Sequence, residues 1–174
     1  MDVGHDVLLV PAQYPTIGDA VRALQRPSTI MVSSGVYAED VVLVDVPDVV
    51  ISTTHFGRRG VVLVGDAAES VVRAENTSVY LSGIEIRSNG RARAISATRT
   101  KMALQECVLA GNRVRGDDDL LEGAGMWCVD SAVRIQKSML IGNSIEAPKG
   151  EARGGALHCT DCKVEIAGCT LQAN

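Results

Sequence analysis

The sequence is poor in aromatic residues, which excludes a core built on large rings. Phe, Trp and Tyr together make up 3% of the 174 residues, and Phe56 and Trp127 are the sole members of their types. Hydrophobic residues nevertheless account for 46% of the chain. The core must therefore be aliphatic, and β-branched side chains such as those of Val and Ile pack well on the pleated surface of strands.

Basic charge and long apolar runs are also scarce. The formal net charge is −4 and the sequence pI is about 5.4, so no basic field is present to attract nucleic acid. No apolar run approaches the roughly 18 residues that a membrane-spanning helix needs. The start of the chain, residues 1–6, lacks the basic and apolar regions of a secretory signal. We expect no nucleic-acid partner, no membrane and a cytoplasmic location, or an extracellular one if the N-terminus has been trimmed.

Cysteine is too unevenly placed for a disulfide framework. The number is odd and all lie in the C-terminal half, at Cys107, Cys128, Cys159, Cys162 and Cys169. We expect reduced thiols that pack as small apolar residues. Cys159 and Cys162 have the Cys-x-x-Cys spacing of a zinc site, but a second such pair is absent. We therefore predict neither a metal nor another cofactor.

A repeat runs through the second half of the chain. Residues 123–143 align without a gap with residues 154–174, at an offset of 31, and residues 92–112 align with 123–143 at the same offset. One repeat earlier the offset shrinks to 23, which pairs Val72 with Ile95. The longer repeats must therefore contain additional residues, and two neighbouring loops are predicted, at 113–122 and 144–153.

Within each repeat the apolar residues alternate with polar ones, as in Val133-Arg-Ile135. This period of two is typical of a strand with one buried face, and strands this short bury that face only by stacking on the neighbouring repeats. The sequence thus predicts an all-β fold, a right-handed parallel β-helix, as one domain over residues 1–174 with coils from about residue 29 to 174.

An amphipathic helix is predicted before the first coil, over residues 16–24, with Thr16 as its N-cap and Asp19 three residues later. We expect this helix to cover the N-terminal edge of the stack, because open strand edges promote aggregation. No such cover is predicted at the other end. We therefore expect a homodimer or an additional domain at the last coil.

The opening of the chain suggests a family. Val10-Pro-Ala-Gln-Tyr-Pro-Thr-Ile-Gly-Asp-Ala-Val-Arg-Ala-Leu24, followed by residues 29–37 and 39–43, resembles the opening of the pectin methylesterase and pectate lyase-like β-helix superfamily. The later repeats resemble its generic parallel β-helix repeats. The resemblance implies the fold more than an activity, because the same opening is found on β-helices of intracellular proteins, including those joined to F-box domains.

The enzyme motifs of that superfamily are absent from this sequence. The Gln-Asp-Thr, Asp-Phe-Ile-Phe-Gly and Gly-Arg-Pro-Trp elements of the methylesterases do not occur, and neither does the Arg-x-Pro-x-x-Arg setting of the lyases. No catalytic residue is therefore carried over from the resemblance.

The repeat places four residues in one outward row: Arg73, Ser96, Trp127 and His158. A Trp beside a His, with Arg73 in the same row, is a candidate surface for stacking a sugar or docking a protein. The alternative is that Trp127 packs under the neighbouring loop.

Two carboxylates share another row, Asp130 and Asp161, with Arg99 one repeat earlier. They are weak candidates for acid–base catalysis of the glycosidase kind. The stronger interpretation is that both lie in short turns, where Asp is favoured because it hydrogen-bonds its own backbone.

The two predicted loops carry the remaining candidates. Their charged residues could form a polar wall or a weak cation site: Arg115, Asp117, Asp118, Asp119, Glu122, Lys149 and Arg153. The Asp triplet lacks the spacing of an EF-hand, and a solvated pair of loops is the alternative.

Two functions remain open. The first is a non-catalytic module that binds a protein or a polysaccharide through an outer face. The alternative is a divergent or degenerate carbohydrate-active enzyme of the pectin lyase-like group.

Overall fold

The computed structural model describes residues 6–54, 60–66 and 69–174. Apart from one short helix its regular elements are strands, and every strand pairing in these residues is parallel. The strands form three large sheets, here called sheets 1, 2 and 3, and two further pairs.

The bounds of the strands follow the three large sheets. Sheet 1 contains β1 (Asp6–Val10), β2 (Ser28–Val32), β5 (Val49–Thr53), β8 (Ser78–Ser82), β11 (Lys101–Gln105), β16 (Ala132–Gln136) and β21 (Lys163–Ala167). Sheet 2 contains β3 (Gly35–Ala38), β6 (Val61–Gly65), β9 (Ile84–Ser88), β12 (Val108–Ala110), β17 (Met139–Ile141) and β22 (Thr170–Gln172). Sheet 3 contains β4 (Val41–Val44), β7 (Ser70–Glu75), β10 (Arg93–Thr98), β15 (Met126–Val129) and β20 (Leu157–Thr160).

From β2 onwards the chain visits sheets 1, 2 and 3 in rotation, and each strand pairs with its counterparts one repeat before and one repeat after. The register matches both predicted offsets, since Ile95 lies opposite Met126 on one side and opposite Val72 on the other. The all-β class and the parallel stacking are therefore confirmed. The arrangement is compatible with the predicted β-helix.

The inward faces of the three sheets share one aliphatic core. Along β16, Val133 and Ile135 are buried while Arg134 between them is exposed, as the alternation predicts. Ile30, Leu81 and other Ile and Leu side chains fill the interior, with Val and Ala between them.

Single residues in the left-handed region turn the chain from sheet 3 to sheet 1. Their φ angles lie between 48° and 53°, and they form one row up the stack: Asp45, Asn76, Arg99, Asp130 and Asp161. Asn and Asp tolerate this conformation better than most residues with a side chain, which accounts for four of the five identities.

The helix, α1, spans Ile17–Arg22, which is shorter at both ends than the predicted 16–24. Thr16 is the N-cap as predicted, and its hydroxyl oxygen accepts from the Asp19 backbone N–H at 2.9 Å. The Glu39 carboxylate accepts from the N–H groups of Ile17 and Gly18, both at 2.8 Å. These bonds satisfy free N–H groups of the first turn, and Glu39 was not predicted to do so.

Sheet 1 also contains a strand before the predicted start of the coils near residue 29, which the sequence did not predict. Strand β1 precedes α1 and pairs with β2 over its full length. Its burial alternates as in a strand with one buried face: Leu8 and Val10 are buried, whereas Val7 and Leu9 face outward and are exposed. The helix is thus inserted between the first two strands of sheet 1.

The prediction of two loops, at 113–122 and 144–153, also needs correction. Both segments contain short strands: β13 (Arg113–Arg115), β14 (Leu120–Glu122), β18 (Ser144–Glu146) and β19 (Glu151–Arg153). β13 pairs with β18, and β14 pairs with β19. Val114, Leu121 and Ala124 form a small second core beneath them. We call these two segments the side arm.

A row of asparagines lies at the turn that follows sheet 2. Asn112 and Asn143 are fully buried, and Asn112 Nδ2 donates to Asn143 Oδ1 at 2.8 Å. Asn143 Nδ2 in turn donates to Asn174 Oδ1 at 2.8 Å and to the Leu109 carbonyl at 3.0 Å. The amides therefore satisfy one another along the stack.

Within the residues that the structure describes, no helix is long and apolar enough to span a membrane.

Candidate functional site

The predicted outward row on sheet 3 is present as a ladder of cross-strand partners. Ser96 lies opposite both Arg73 and Trp127, and Trp127 lies opposite His158. Arg73 is exposed, whereas Trp127 and His158 are half-buried. The expectation that Ser96 faces solvent was wrong: it is 4% exposed, and its hydroxyl lies 2.8 Å from that of Ser70.

Trp127 is held by two neighbours that the sequence did not associate with it. Its Nε1–H donates to Glu122 Oε2 at 3.3 Å, and the Arg93 guanidinium lies 5.2 Å from the ring centroid. One edge and one face of the indole are therefore already occupied. This favours the alternative in which Trp127 packs against the side arm, because Glu122 is the last residue of β14.

Glu122 also contacts His158. The His158 Nε2 lies 3.2 Å from Glu122 Oε1 and 3.2 Å from Thr160 Oγ1. The two side chains are only 19% and 20% exposed. One carboxylate thus joins the side arm to two successive strands of sheet 3.

Arg93 is the residue of this cluster that sequence reasoning missed. Burial lowers its pKa, while the charges of Glu69 and Glu122 act in the opposite direction. Its Nε is buried and has no hydrogen-bond partner within the described ranges. The available signal was weak: a single charged residue between the two buried alanines Ala92 and Ala94.

Asp130 and Asp161 lie in the turns between sheets 3 and 1. Both are exposed, at φ angles of 49° and 53°, and the Asp130 N–H donates to the Thr160 carbonyl at 3.1 Å. Arg99, one repeat earlier, is engaged by the carboxylate of Glu75 and by Asn76. This placement supports the turn role of the two aspartates.

The charged residues of the side arm mainly pair with one another. Lys149 Nζ lies 2.9 Å from Asp117, and Arg115 Nε lies 3.6 Å from Glu146. A hollow of about 500 Å³ next to Pro148 is lined by Arg91 as well as by Arg115 and Asp117. In the described part of the chain, no group of three or more His, Cys, Asp or Glu residues could hold a metal ion.

An open groove lies on the outer face of sheet 1, where the sequence predicted no site residue. Its volume is about 620 Å³ and it crosses five adjacent strands, from β2 to β16. Its lining includes Pro27, Ser28, Asp48, Val49, Val50, Ser78, Val79, Tyr80, Lys101, Met102, Ala103, Ala132 and Arg134.

Tyr80 is the aromatic residue of this groove and is 39% exposed. It lies opposite Val50 on one side and Ala103 on the other, so small side chains flank the ring along the stack. The sequence contained a signal for this exposed ring: in the row of Val50, Tyr80 and Ala103, one aromatic residue stands between two smaller ones.

The groove has charged residues on its rim. Arg134 is paired with Glu165 at 2.9 Å. Lys101 is exposed and makes no ion pair with any residue that the structure describes. Lys101 therefore supplies a positive charge without an ion-pair partner, on the strand next to Tyr80 and two residues before Ala103, which lies opposite Tyr80.

No protein-family model, no curated protein and no solved structure matches this chain.

Proposed function

We propose that the chain is a right-handed parallel β-helix that acts as a non-catalytic binding module for an extended glycan. The rotation of the strands through three sheets, with parallel partners one repeat away, supports the winding. Crossovers between parallel strands of one sheet are right-handed in about 98% of cases, which supports the hand. The buried residues of α1, Ile17, Ala20 and Val21, suit a cap on the first repeat.

The observation that carries the binding proposal is the groove on the outer face of sheet 1. Five strands at a spacing of ~4.8 Å give it a length of roughly 19 Å along the stack. An exposed apolar groove of this size with a polar rim is typical of a binding surface. Tyr80 lies near its middle, with room above Val50 and Ala103 for a flat ligand.

A glycan fits this groove because the lining mixes an aromatic ring with hydrogen-bonding groups. Tyr80 offers an apolar face and a hydroxyl, while Ser78, Asp48 and Lys101 line the same groove. The lining has two cationic residues, Lys101 and Arg134, against one carboxylate, Asp48, and this balance favours an acidic sugar polymer. The resemblance of the chain's opening to pectin-active β-helices points to the same class of ligand.

The test is titration of the full chain with polygalacturonate, with neutral galactan as the matched polymer. We expect Tyr80→Ala to weaken binding of polygalacturonate about tenfold and Tyr80→Phe to retain most of it. Lys101→Gln weakens the same binding and reduces its salt dependence.

Trp127→Phe is the control, because it lies on another sheet, and it leaves the affinity unchanged. Equal weakening by Trp127→Phe and Tyr80→Ala would move the site to sheet 3. If the chain binds neither polygalacturonate nor galactan, the glycan proposal is wrong, and a peptide ligand would then be the one to seek.

The module is proposed to lack catalysis, which is measured separately. Incubation with pectin and polygalacturonate should release neither methanol nor reducing ends. Turnover that is lost in Asp130→Asn or Asp161→Asn would contradict this and favour the enzymatic alternative.

We also propose that the outer edge of β20, β21 and β22 is covered by a second copy of the chain. Val164 and Ile166 of β21 and Leu171 of β22 are exposed, unlike their cross-strand partners one repeat earlier.

A further inference from the structure

Three cysteine thiols meet where β20 turns into β21. Cys128 and Cys159 lie directly opposite each other on the neighbouring strands β15 and β20. Cys159 and Cys162 pack against the core that contains Cys128, and the thiols of Cys128 and Cys162 act on the pKa of Cys159. Cys162 Sγ also donates to the Thr160 carbonyl at 3.1 Å. All three are free, and Cys128 is buried whereas Cys159 and Cys162 are partly accessible.

The placement of the first pair suits a disulfide. Neighbouring parallel strands are ~4.8 Å apart, which falls within the range of roughly 4.4–6.8 Å that Cα atoms of a disulfide span. The two side chains are on the same, inward face, in the row that Ala97 occupies one repeat earlier. Formation of the bond therefore needs rotation of side chains rather than movement of strands.

The electrostatics differ between the two thiols. The hydrogen bond from Cys128 lowers the pKa of Cys159 to about 7, against the effect of partial burial. The same bond and burial raise the pKa of Cys128. At neutral pH a large share of Cys159 is thus thiolate, the form that reacts, while Cys128 holds its proton.

We propose that Cys159 is a peroxide-reactive thiol and that Cys128 resolves its oxidised form as an intramolecular disulfide. The Cys159 thiolate attacks one oxygen of hydrogen peroxide, the O–O bond breaks and hydroxide leaves, which oxidises the sulfur to a sulfenic acid. Oxidation removes the negative charge of Cys159, which is one of the causes that keep the proton on Cys128. The Cys128 sulfur then attacks the Cys159 sulfur as the Cys128 proton passes to the sulfenic hydroxyl. The S–O bond breaks, and the hydroxyl leaves as water with the Cys128 proton. In sum, one peroxide and two thiols give one disulfide and two waters.

The proposal is independent of the glycan groove, which lies on sheet 1, so either can fail alone. It also differs from the packing role predicted for these cysteines. A second row, Cys107, Ser138 and Cys169, supplies the control for this proposal. In that row a serine stands between the two cysteines, and Cys107 N donates to Ser138 Oγ at 3.1 Å.

The first experiment is peroxide treatment of the reduced full chain, followed by alkylation, trypsin and mass spectrometry. Residues 116–134 carry Cys128, and residues 154–163 carry Cys159 and Cys162. We expect these two peptides to be joined. The joined pair persists in Cys162→Ser and in the control Cys169→Ser, and it is absent in Cys159→Ala.

Cys128→Ala keeps the side chain that Ala97 has in the same row, and in this variant a dimedone adduct accumulates on Cys159 after peroxide. A disulfide confined to residues 154–163 would overturn the role of Cys128. Joined peptides in Cys159→Ala, or fully alkylated thiols after peroxide, would overturn the proposal as a whole.

A second measurement is the pH dependence of Cys159 alkylation by iodoacetamide in the untreated chain. The rate rises with pH as the thiolate forms, with a midpoint near pH 7, and falls below it. At pH 7 we expect a rate about tenfold above that of a thiol with the ordinary pKa of ~8.5. A midpoint at the ordinary value would contradict the proposed reactivity.

Discussion

The asparagine row illustrates how much stability one buried side chain can carry. Asn143 is fully buried, and its amide oxygen accepts from the backbone N–H of Asn112 at 3.2 Å as well as from the Asn112 amide. Its own Nδ2 donates to Leu109 and Asn174. Removing this amide therefore leaves buried donors and acceptors on both neighbouring repeats without partners.

We accordingly expect Asn143→Ala to lower the free energy of unfolding by roughly 2–4 kcal/mol. The measurement is urea unfolding followed by circular dichroism. Asn89→Ala is the matched control: it aligns with Asn112 in the sequence but is exposed, so its change should stay within about 0.5 kcal/mol. Equal effects of the two variants would show that the buried amide row adds nothing.

At the scale of single residues, the sequence predicted the position of a residue in its row better than the contacts of its side chain. The repeat correctly placed Arg73, Trp127 and His158 in one row, because a shared offset determines the register. It could not reveal that Glu122 and Arg93 close over Trp127, since those contacts depend on how the side arm folds back on sheet 3. Tyr80 was missed for a related reason: its exposure follows from the small size of its neighbours on other strands.

Among the elements, the side arm is the one that the sequence described least well. β13 and β14 are only three residues long, too short to show a strand period, and each acquires its structure from its partner in the next repeat. The turns, by contrast, were predictable in kind, because Asp and Asn recur at the left-handed positions. The N-cap Thr16 was likewise recognisable from a local motif, whereas Glu39, which accepts from the Ile17 and Gly18 N–H groups and lies more than 20 residues away, was not.

Because the two segments of the side arm pair with each other, deleting both should cost less stability than the two single deletions suggest. The longer repeats exceed the shorter one by eight residues, so removal of residues 114–121 and 145–152 together restores the offset of 23 in both. We expect this double deletion to fold with a strand-type circular dichroism spectrum. Each single deletion leaves the other half of the arm without its parallel partner.

The summed loss of unfolding free energy for the two single deletions should therefore exceed that of the double deletion by about 1 kcal/mol or more. Thermal and urea unfolding of the three variants provide the comparison. Additive losses would indicate that the two halves of the arm are stabilised by the main stack and not by each other.

At the scale of the whole stack, the described residues leave one edge with a distinctive exposed surface. In the last repeat Val164, Ile166 and Leu171 are 39%, 43% and 50% exposed. One repeat earlier, their cross-strand partners are at most 3% exposed. Within the described residues no strand pairs with the outer edge of β20, β21 or β22. Such an edge offers both apolar surface and free backbone groups to a second copy.

We expect sedimentation equilibrium of the chain at micromolar concentration to show a reversible dimer. Ile166→Lys and Leu171→Lys place charges on the proposed interface and should shift the equilibrium to monomer, because a buried unpaired charge is costly. Val36→Lys, at a 72% exposed position on sheet 2, is the control and should leave the dimer intact. Because Cys159 belongs to the same repeat, its alkylation should slow as the dimer forms. A monomer at all concentrations, with alkylation of Cys159 independent of concentration, would exclude this interface.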